Sequence, residues 1–287
     1  MTTSDTYFIT REHRGDKAFK EGEFKRAVEE YLASYNPLSS SLTKAELAHK
    51  LALSFRHLGD FEQYLQYEEQ ASAFYAQVSI DQAADFLKIT GDTLNLAEES
   101  EFASRAHQLA SHYYSSAAET ASEPSLRLAW KAWSMVCRNK ASKDQKPASW
   151  TEAASIFTEA SNMNEQLSVY RKAKALQCTA MAEICSSPSA SNIKEAAKQL
   201  EKASELEPSN LRTRISMIAA HTLTASEDEL PQLLRQLILR LEALECTSLR
   251  DKFAMVLETM TKKQDFSQET VHALNQLLLT AIRSTTL

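Results

Sequence analysis

The chain has 287 residues, 43% of them hydrophobic and 24% charged, which is enough apolar sequence for a sizeable folded core. Its net charge of −6 and lack of a long basic block disfavour a nucleic-acid partner. No run of about eighteen apolar residues and no N-terminal stretch of signal-peptide type occur, so we expect no membrane insertion and a cytoplasmic location, with the nucleus or an endosome surface as alternatives.

Helix formers dominate the composition, whereas glycine and proline are scarce. Only four glycines and six prolines are present in the whole chain, too few for the turns of a sandwich or barrel. The sequence therefore predicts an all-α fold. It also contains no GxGxxG, GxxxxGK[ST], HExxH or CxxC pattern. We expect no enzyme activity, no catalytic or metal-binding residues, no cofactor and no small-molecule substrate.

The first predicted helix pair lies within residues 14–37. Gly15 is a small residue on the first helix, which would let the second helix approach closely. Gly22 is placed to close the turn, because glycine accepts the positive φ that a helix end often needs. Four residues at steps of three and four share one face of the second helix: Phe24, Ala27, Tyr31 and Ser34.

The same alternation of small and large residues recurs in residues 51–71, 149–160 and 192–210. The second copy departs from the pattern at Tyr64, where a small residue is expected, and the last copy stops at a proline. The residues predicted to pack these repeats together are Gly15, Gly22, Ala27, Gly59, Ala71, Ala153, Ala160, Ala196, Ala203 and Pro208.

The stretches between these copies match the pattern less well. Residues 80–99 and 102–119 are predicted to form a helix pair with Gly91 near the turn, and residues 141–149 form a polar connector. We therefore expect one array over residues 1–287, with N-terminal repeats in 1–140 and C-terminal repeats in 150–287.

Candidate protein-binding residues come from aromatic and leucine-rich stretches of the predicted helices. They are Tyr64, Tyr67, Trp130, Trp133, Leu237 and Leu241. The helical spacing of these side chains is typical of core packing between repeats, and the alternative is an apolar surface that anchors a partner. The sequence leaves both interpretations open.

The recurring pattern resembles the tetratricopeptide repeat. That resemblance implies a right-handed α-solenoid of stacked antiparallel helix pairs, and a non-enzymatic scaffold or adaptor that binds other proteins. Some relatives hold a C-terminal carboxylate in a basic clamp on the first helix of a repeat. Glu12 and Asp16 occupy that region here and would repel a carboxylate ligand, so this role is disfavoured.

Two narrower resemblances concern the middle of the chain. The segment "KPASWTEAASIFTEA" is similar to the SNAP family, whose members adapt membrane-fusion complexes to their ATPase. From Lys44 to Thr261 the order of segments also looks like the family of the 40-kDa huntingtin-associated protein. That likeness implies huntingtin, a large helical-repeat protein, as the partner. A basic N-terminal segment and a Pro-rich insert expected in that family are absent.

Overall fold

A computed structural model describes residues 3–187, 189–244, 246–262 and 267–287. Within these ranges the chain forms fourteen α-helices, one short 3₁₀ helix and no strand. Helices that follow one another along the chain pack together, with α3 on α4 and α8 on α9 among the most extensive pairs. The predicted all-α fold of paired helices is thus confirmed. The helices divide into two compact units.

Unit 1 extends to Leu94 and includes Glu99–Ala117. Its helices, the last two of which reach past these limits, are α1 (Thr3–Lys20), α2 (Phe24–Ala33), α3 (Ser41–Leu58), α4 (Phe61–Tyr75), α5 (Ile80–Leu96) and α6 (Ser100–Thr120).

Unit 2 comprises Asn95–Glu98 and Ala118–Leu287. Its helices are α7 (Pro124–Lys140), α8 (Pro147–Met163), α9 (Ser168–Ser186), α10 (Ala190–Leu206), α11 (Leu211–Thr222), α12 (Leu230–Ala243), α13 (Thr247–Lys262) and α14 (Gln268–Thr285), with the 3₁₀ turn Glu165–Leu167 before α9. The predicted connector, residues 141–149, overlaps the segment between α7 and α8. The single continuous array over 1–287 stays a prediction.

Two glycines in unit 1 end helices in the left-handed backbone region. Gly22 has φ of +78° and Gly59 has φ of +75°, a conformation that most side chains disfavour. After Gly59, the N–H of Asp60 donates to the carbonyl of Phe55 over 3.0 Å, which satisfies a carbonyl at the helix end. The side chain of Asp60 then accepts from the Gln63 N–H and caps α4.

Small side chains lie at the contacts between helices of both units. The alanines at the predicted packing positions are all fully buried: Ala27, Ala71, Ala153, Ala160, Ala196 and Ala203. Pro208 lies in the exposed turn between α10 and α11, where it follows the end of the helix. Alanines without exposed surface allow neighbouring helices to pack closely, and this burial is what the packing role requires.

A buried ionic network joins α9 to the start of α11 in unit 2. Lys174 Nζ lies 2.9 Å from Glu207 Oε2, and both side chains are largely shielded from solvent. Gln177 Nε2 donates to Thr213 Oγ1 over 2.8 Å and to Glu207 Oε2 over 3.3 Å. Asn210 Nδ2 also donates to that carboxylate. The network gives the buried ammonium and its carboxylate several hydrogen bonds, which offset the cost of removing these charges from water.

The last helix of unit 2 returns to an earlier one. α14 packs against α11, and the buried hydroxyls of Ser216 and Thr285 lie 2.7 Å apart. Thr286 donates a further hydrogen bond to Ser216 Oγ over 2.9 Å. In the described ranges no helix is both long and apolar enough to cross a bilayer.

Candidate protein-binding groove

A groove of about 320 Å³ opens on unit 1 where α1, the end of α2 and the start of α3 meet. We call it the α1–α3 groove. Its lining residues are Phe8, Ile9 and Glu12 from α1, Ser34, Tyr35 and Asn36 from the end of α2, Ser39 from the loop, and Thr43, Lys44 and Leu47 from α3. Apolar walls with a few polar groups are typical of sites that take a ligand or a peptide side chain.

The loop that shapes the groove is fixed by local hydrogen bonds. Asn36 Oδ1 accepts from the Leu38 N–H over 3.0 Å, and Pro37 between them cannot continue α2. Ser40 then caps α3, because its hydroxyl accepts from the Thr43 N–H over 3.2 Å. The short loop thereby places Tyr35 in the groove lining and Leu38 between the lining residues Asn36 and Ser39.

Large apolar side chains on the segments that form this groove are exposed to solvent. Leu38 is 93% exposed and Tyr35 is 47% exposed, and Tyr7, Ile9 and Leu42 are also exposed. A loop leucine with almost all of its surface in water gains nothing from burial within its own chain. Exposed apolar groups beside a cavity mark a surface on which a partner could dock.

An ionic cluster built around Lys50 shares Glu12 with the groove lining. The Lys50 ammonium lies 2.7 Å from Glu12 Oε1 and 2.8 Å from Asp16 Oδ1. Tyr31 donates its hydroxyl hydrogen to Asp16 Oδ1 over 2.9 Å, and Lys50 Nζ lies 5.8 Å from the Tyr31 ring centroid. Two carboxylates thus share one ammonium, and Glu12 belongs both to this cluster and to the groove lining.

The cluster favours the charged states of Asp16 and Lys50. Partial burial tends to raise the pKa of Asp16, but the hydrogen bonds from Lys50 and Tyr31 outweigh it, so this pKa is lowered. Burial tends to lower the pKa of Lys50, but its bonds to Asp16 and Glu12 outweigh that effect and raise it. Burial, and then the bond to Asp16, raise the pKa of Tyr31, which therefore remains a hydroxyl donor.

Gly15 allows Tyr31 to reach this cluster. A Cβ at position 15 would lie 2.5 Å from the Tyr31 ring atoms Cδ1 and Cε1, which is closer than carbon atoms approach. The ring therefore lies directly on the α1 backbone, beside the Asp16 that its hydroxyl contacts. The close helix approach that the sequence predicts for Gly15 thus has a specific partner in Tyr31.

We expect Gly15→Ala to lower the free energy of unfolding by about 1–3 kcal/mol, because the added methyl group overlaps the Tyr31 ring. Chemical denaturation followed by circular dichroism measures the change. Gly22→Asn is the matched control, since nothing lies within 4 Å of a Cβ there and asparagine tolerates positive φ. An equal loss in both variants would contradict the overlap.

The binding residues predicted from the sequence lie elsewhere. Tyr64, Trp133, Leu237 and Leu241 are buried in this structure, so their side chains present little surface to a partner. Tyr67 and Trp130 are half-buried. Tyr67 stacks on Phe55 with ring centroids 5.4 Å apart, and Trp133 packs its edge on Phe157 at 5.3 Å. A binding role for Tyr67 and Trp130 stays a prediction.

Sequence reasoning did not find the α1–α3 groove as a binding surface. One signal was available: Leu38 is a large apolar residue between proline and serines, in a loop that is otherwise polar. Among the residues that the structure describes, at the groove and elsewhere, no three His, Cys, Asp or Glu side chains lie close enough together to hold a metal ion.

Comparisons with known proteins support the fold. The crystal structure of the apo form of RapI aligns with 96% of this chain and 98% of its own, with a TM-score of 0.55 and 14% identity. The TPR2AB domain of yeast Sti1 in complex with pHSP90 covers 96% and 98% at 14% identity, but its TM-score of 0.30 is too low to carry an argument. No protein-family model and no curated protein matches the chain.

These matches do not support the narrower resemblance to the SNAP or huntingtin-associated families. At 14% identity the likeness to RapI concerns the fold alone. What the chain shares with it is the all-α fold.

Proposed function

We propose that this chain is a non-catalytic protein-interaction scaffold, and that its α1–α3 groove receives a segment of the partner. One observation carries the proposal: the exposed Tyr35 lines a cavity of about 320 Å³ whose walls are partly apolar, and the almost fully exposed Leu38 lies in the loop between the lining residues Asn36 and Ser39. Burying such side chains under a partner is favourable by about 25 cal/mol per Å² of apolar surface. Helical-repeat proteins commonly use extended surfaces of this kind for binding.

The experiment compares the proteins that co-purify with tagged variants from the cells in which the protein occurs. The test variant is Tyr35→Ser/Leu38→Ser, and the matched control is Val78→Ser/Ile89→Ser, which removes exposed apolar side chains of unit 1 outside the groove. We expect a specific partner to be recovered at least about tenfold less with the test variant, and at the wild-type level with the control.

Both variants alter exposed residues, so their thermal unfolding should match that of the wild type, and this is checked first. Partner recovery that is the same for the test variant, the control and the wild type would overturn the proposed use of the groove.

Two narrower functions predict different partners in the same purification. A protein of the huntingtin-associated type would be recovered with one very large helical-repeat protein, in the manner of huntingtin. An adaptor of SNAP type would be recovered with a helical SNARE bundle and would stimulate an ATPase. The fold is compatible with both of these narrower functions. Mass spectrometry of the recovered proteins distinguishes between them.

A further inference from the structure

Charge is distributed unequally between the two units. Unit 1 contains 11 Lys and Arg against 17 Asp and Glu, whereas unit 2 contains 21 of each. The excess of six acidic residues in unit 1 thus accounts for the whole net charge of −6. A surface with this excess attracts basic partners over distances of about a Debye length and repels acidic ones.

One carboxylate of this acidic unit, that of Glu12, lines the α1–α3 groove. Glu12 shares the single ammonium of Lys50 with Asp16, so the cluster keeps one uncompensated negative charge. The cationic residue of the lining, Lys44, has its ammonium 5.9 Å from the centroid of the Phe74 ring on α4. The carboxylate of Glu12 is therefore the group on which a partner cation can form a charge-assisted hydrogen bond.

We infer that the α1–α3 groove binds a segment of another protein that carries a Lys or Arg next to a bulky apolar residue. The inference rests on the proposed function and specifies its partner. The basic side chain pairs with Glu12, and the apolar side chain is buried against Phe8, Tyr35 and Leu47. Complementary charge of this kind mainly gives orientation and selectivity, while the apolar contact supplies most of the affinity.

A random peptide-display library selected on the full-length protein tests the inference. We expect the selected peptides to share a basic residue adjacent to Leu, Ile, Met or an aromatic residue. Synthetic copies of the selected peptides, labelled with a fluorophore, then give dissociation constants by fluorescence anisotropy. Raising the salt concentration should weaken binding, because the ionic contact lies at a solvent-accessible groove.

The decisive comparison is between Glu12→Gln and Glu29→Gln. Both remove one negative charge from unit 1, but Glu29 is an exposed residue of α2 that does not line the groove. We expect Glu12→Gln to weaken peptide binding by about tenfold or more, and Glu29→Gln to change it by less than about twofold. In Glu12→Lys, peptides whose basic residue is replaced by glutamate should regain affinity.

The outcomes separate this inference from the proposed function. Selected peptides that bind the wild type but not Tyr35→Ser/Leu38→Ser keep the groove as the binding site. If such peptides are acidic or neutral, or if Glu12→Gln and Glu29→Gln weaken their binding equally, the inference of a basic partner is overturned. A selection that yields no peptide dependent on Tyr35 and Leu38 overturns the proposed groove itself. Self-association of the wild-type chain that depends on Tyr35 and Leu38 would also overturn it, because the groove would then bind a second copy of this chain.

Discussion

Replacement of Trp150 by alanine is expected to lower the free energy of unfolding by about 3–5 kcal/mol, because it removes a fully buried indole. Trp150 lies in the first turns of α8, on the same stripe as the fully buried Phe157. The two helices that meet there, α8 and α9, form one of the most extensive pairs of the fold. Urea denaturation of the full chain, followed by circular dichroism, measures the loss.

Trp130→Ala is the matched control for this prediction. Trp130 is the same residue type on the preceding helix, α7, but part of its surface already faces solvent. Less apolar area is lost and a smaller cavity remains, so we expect a clearly smaller decrease in stability than for Trp150. A decrease for Trp130 as large as that for Trp150 would contradict the prediction that full burial of the indole sets the loss.

Replacement of Glu207 by alanine is expected to cost about 3–5 kcal/mol, because it leaves the ammonium of Lys174 buried without its carboxylate. Gln177 Oε1 also lies 3.4 Å from Lys174 Nζ, but this amide carries no charge to offset the lost solvation. The free energy of unfolding is again measured by urea denaturation at neutral pH.

Two further variants distinguish a buried charge from a general loss of contacts. Lys174→Met/Glu207→Leu removes both charges and should recover most of the stability, since an apolar pair needs no solvation. Glu195→Ala breaks the exposed Lys198–Glu195 pair and should cost less than about 1 kcal/mol. If Glu207→Ala cost no more than Glu195→Ala, the network would contribute no more than a surface ion pair.

The paired-helix fold could be predicted because its determinants are local. Alanines spaced for helix contacts, and Gly22 and Gly59 at positive φ, act within one or two turns of sequence. Gly91 shows the limit of such reasoning. The sequence predicts it near a turn, but it lies inside α5, where a Cβ would be 2.7 Å from the His107 ring of α6. That contact depends on tertiary packing, which a single glycine in helical sequence does not reveal.

The α1–α3 groove could not be predicted for a related reason. Its lining comes from three elements, and the side chains of Phe8, Tyr35 and Lys44 meet only after α1, α2 and α3 have packed. Helical periodicity identifies an apolar face but does not say whether a neighbouring helix covers it. Leu237 and Leu241 are covered in this way, whereas Leu38 belongs to a loop and follows no helical period.

The return of α14 to α11 has a consequence for how the chain folds. Most helix pairs join neighbours in sequence and can form with little loss of loop entropy, which favours fast folding. The contact between Ser216 and Thr285 instead closes a loop of 69 residues. Unit 2 therefore ends in a non-local contact. Because α12 and α13 lie within the loop that this contact closes, we expect α14 to dock on α11 late in folding, after these two helices have formed.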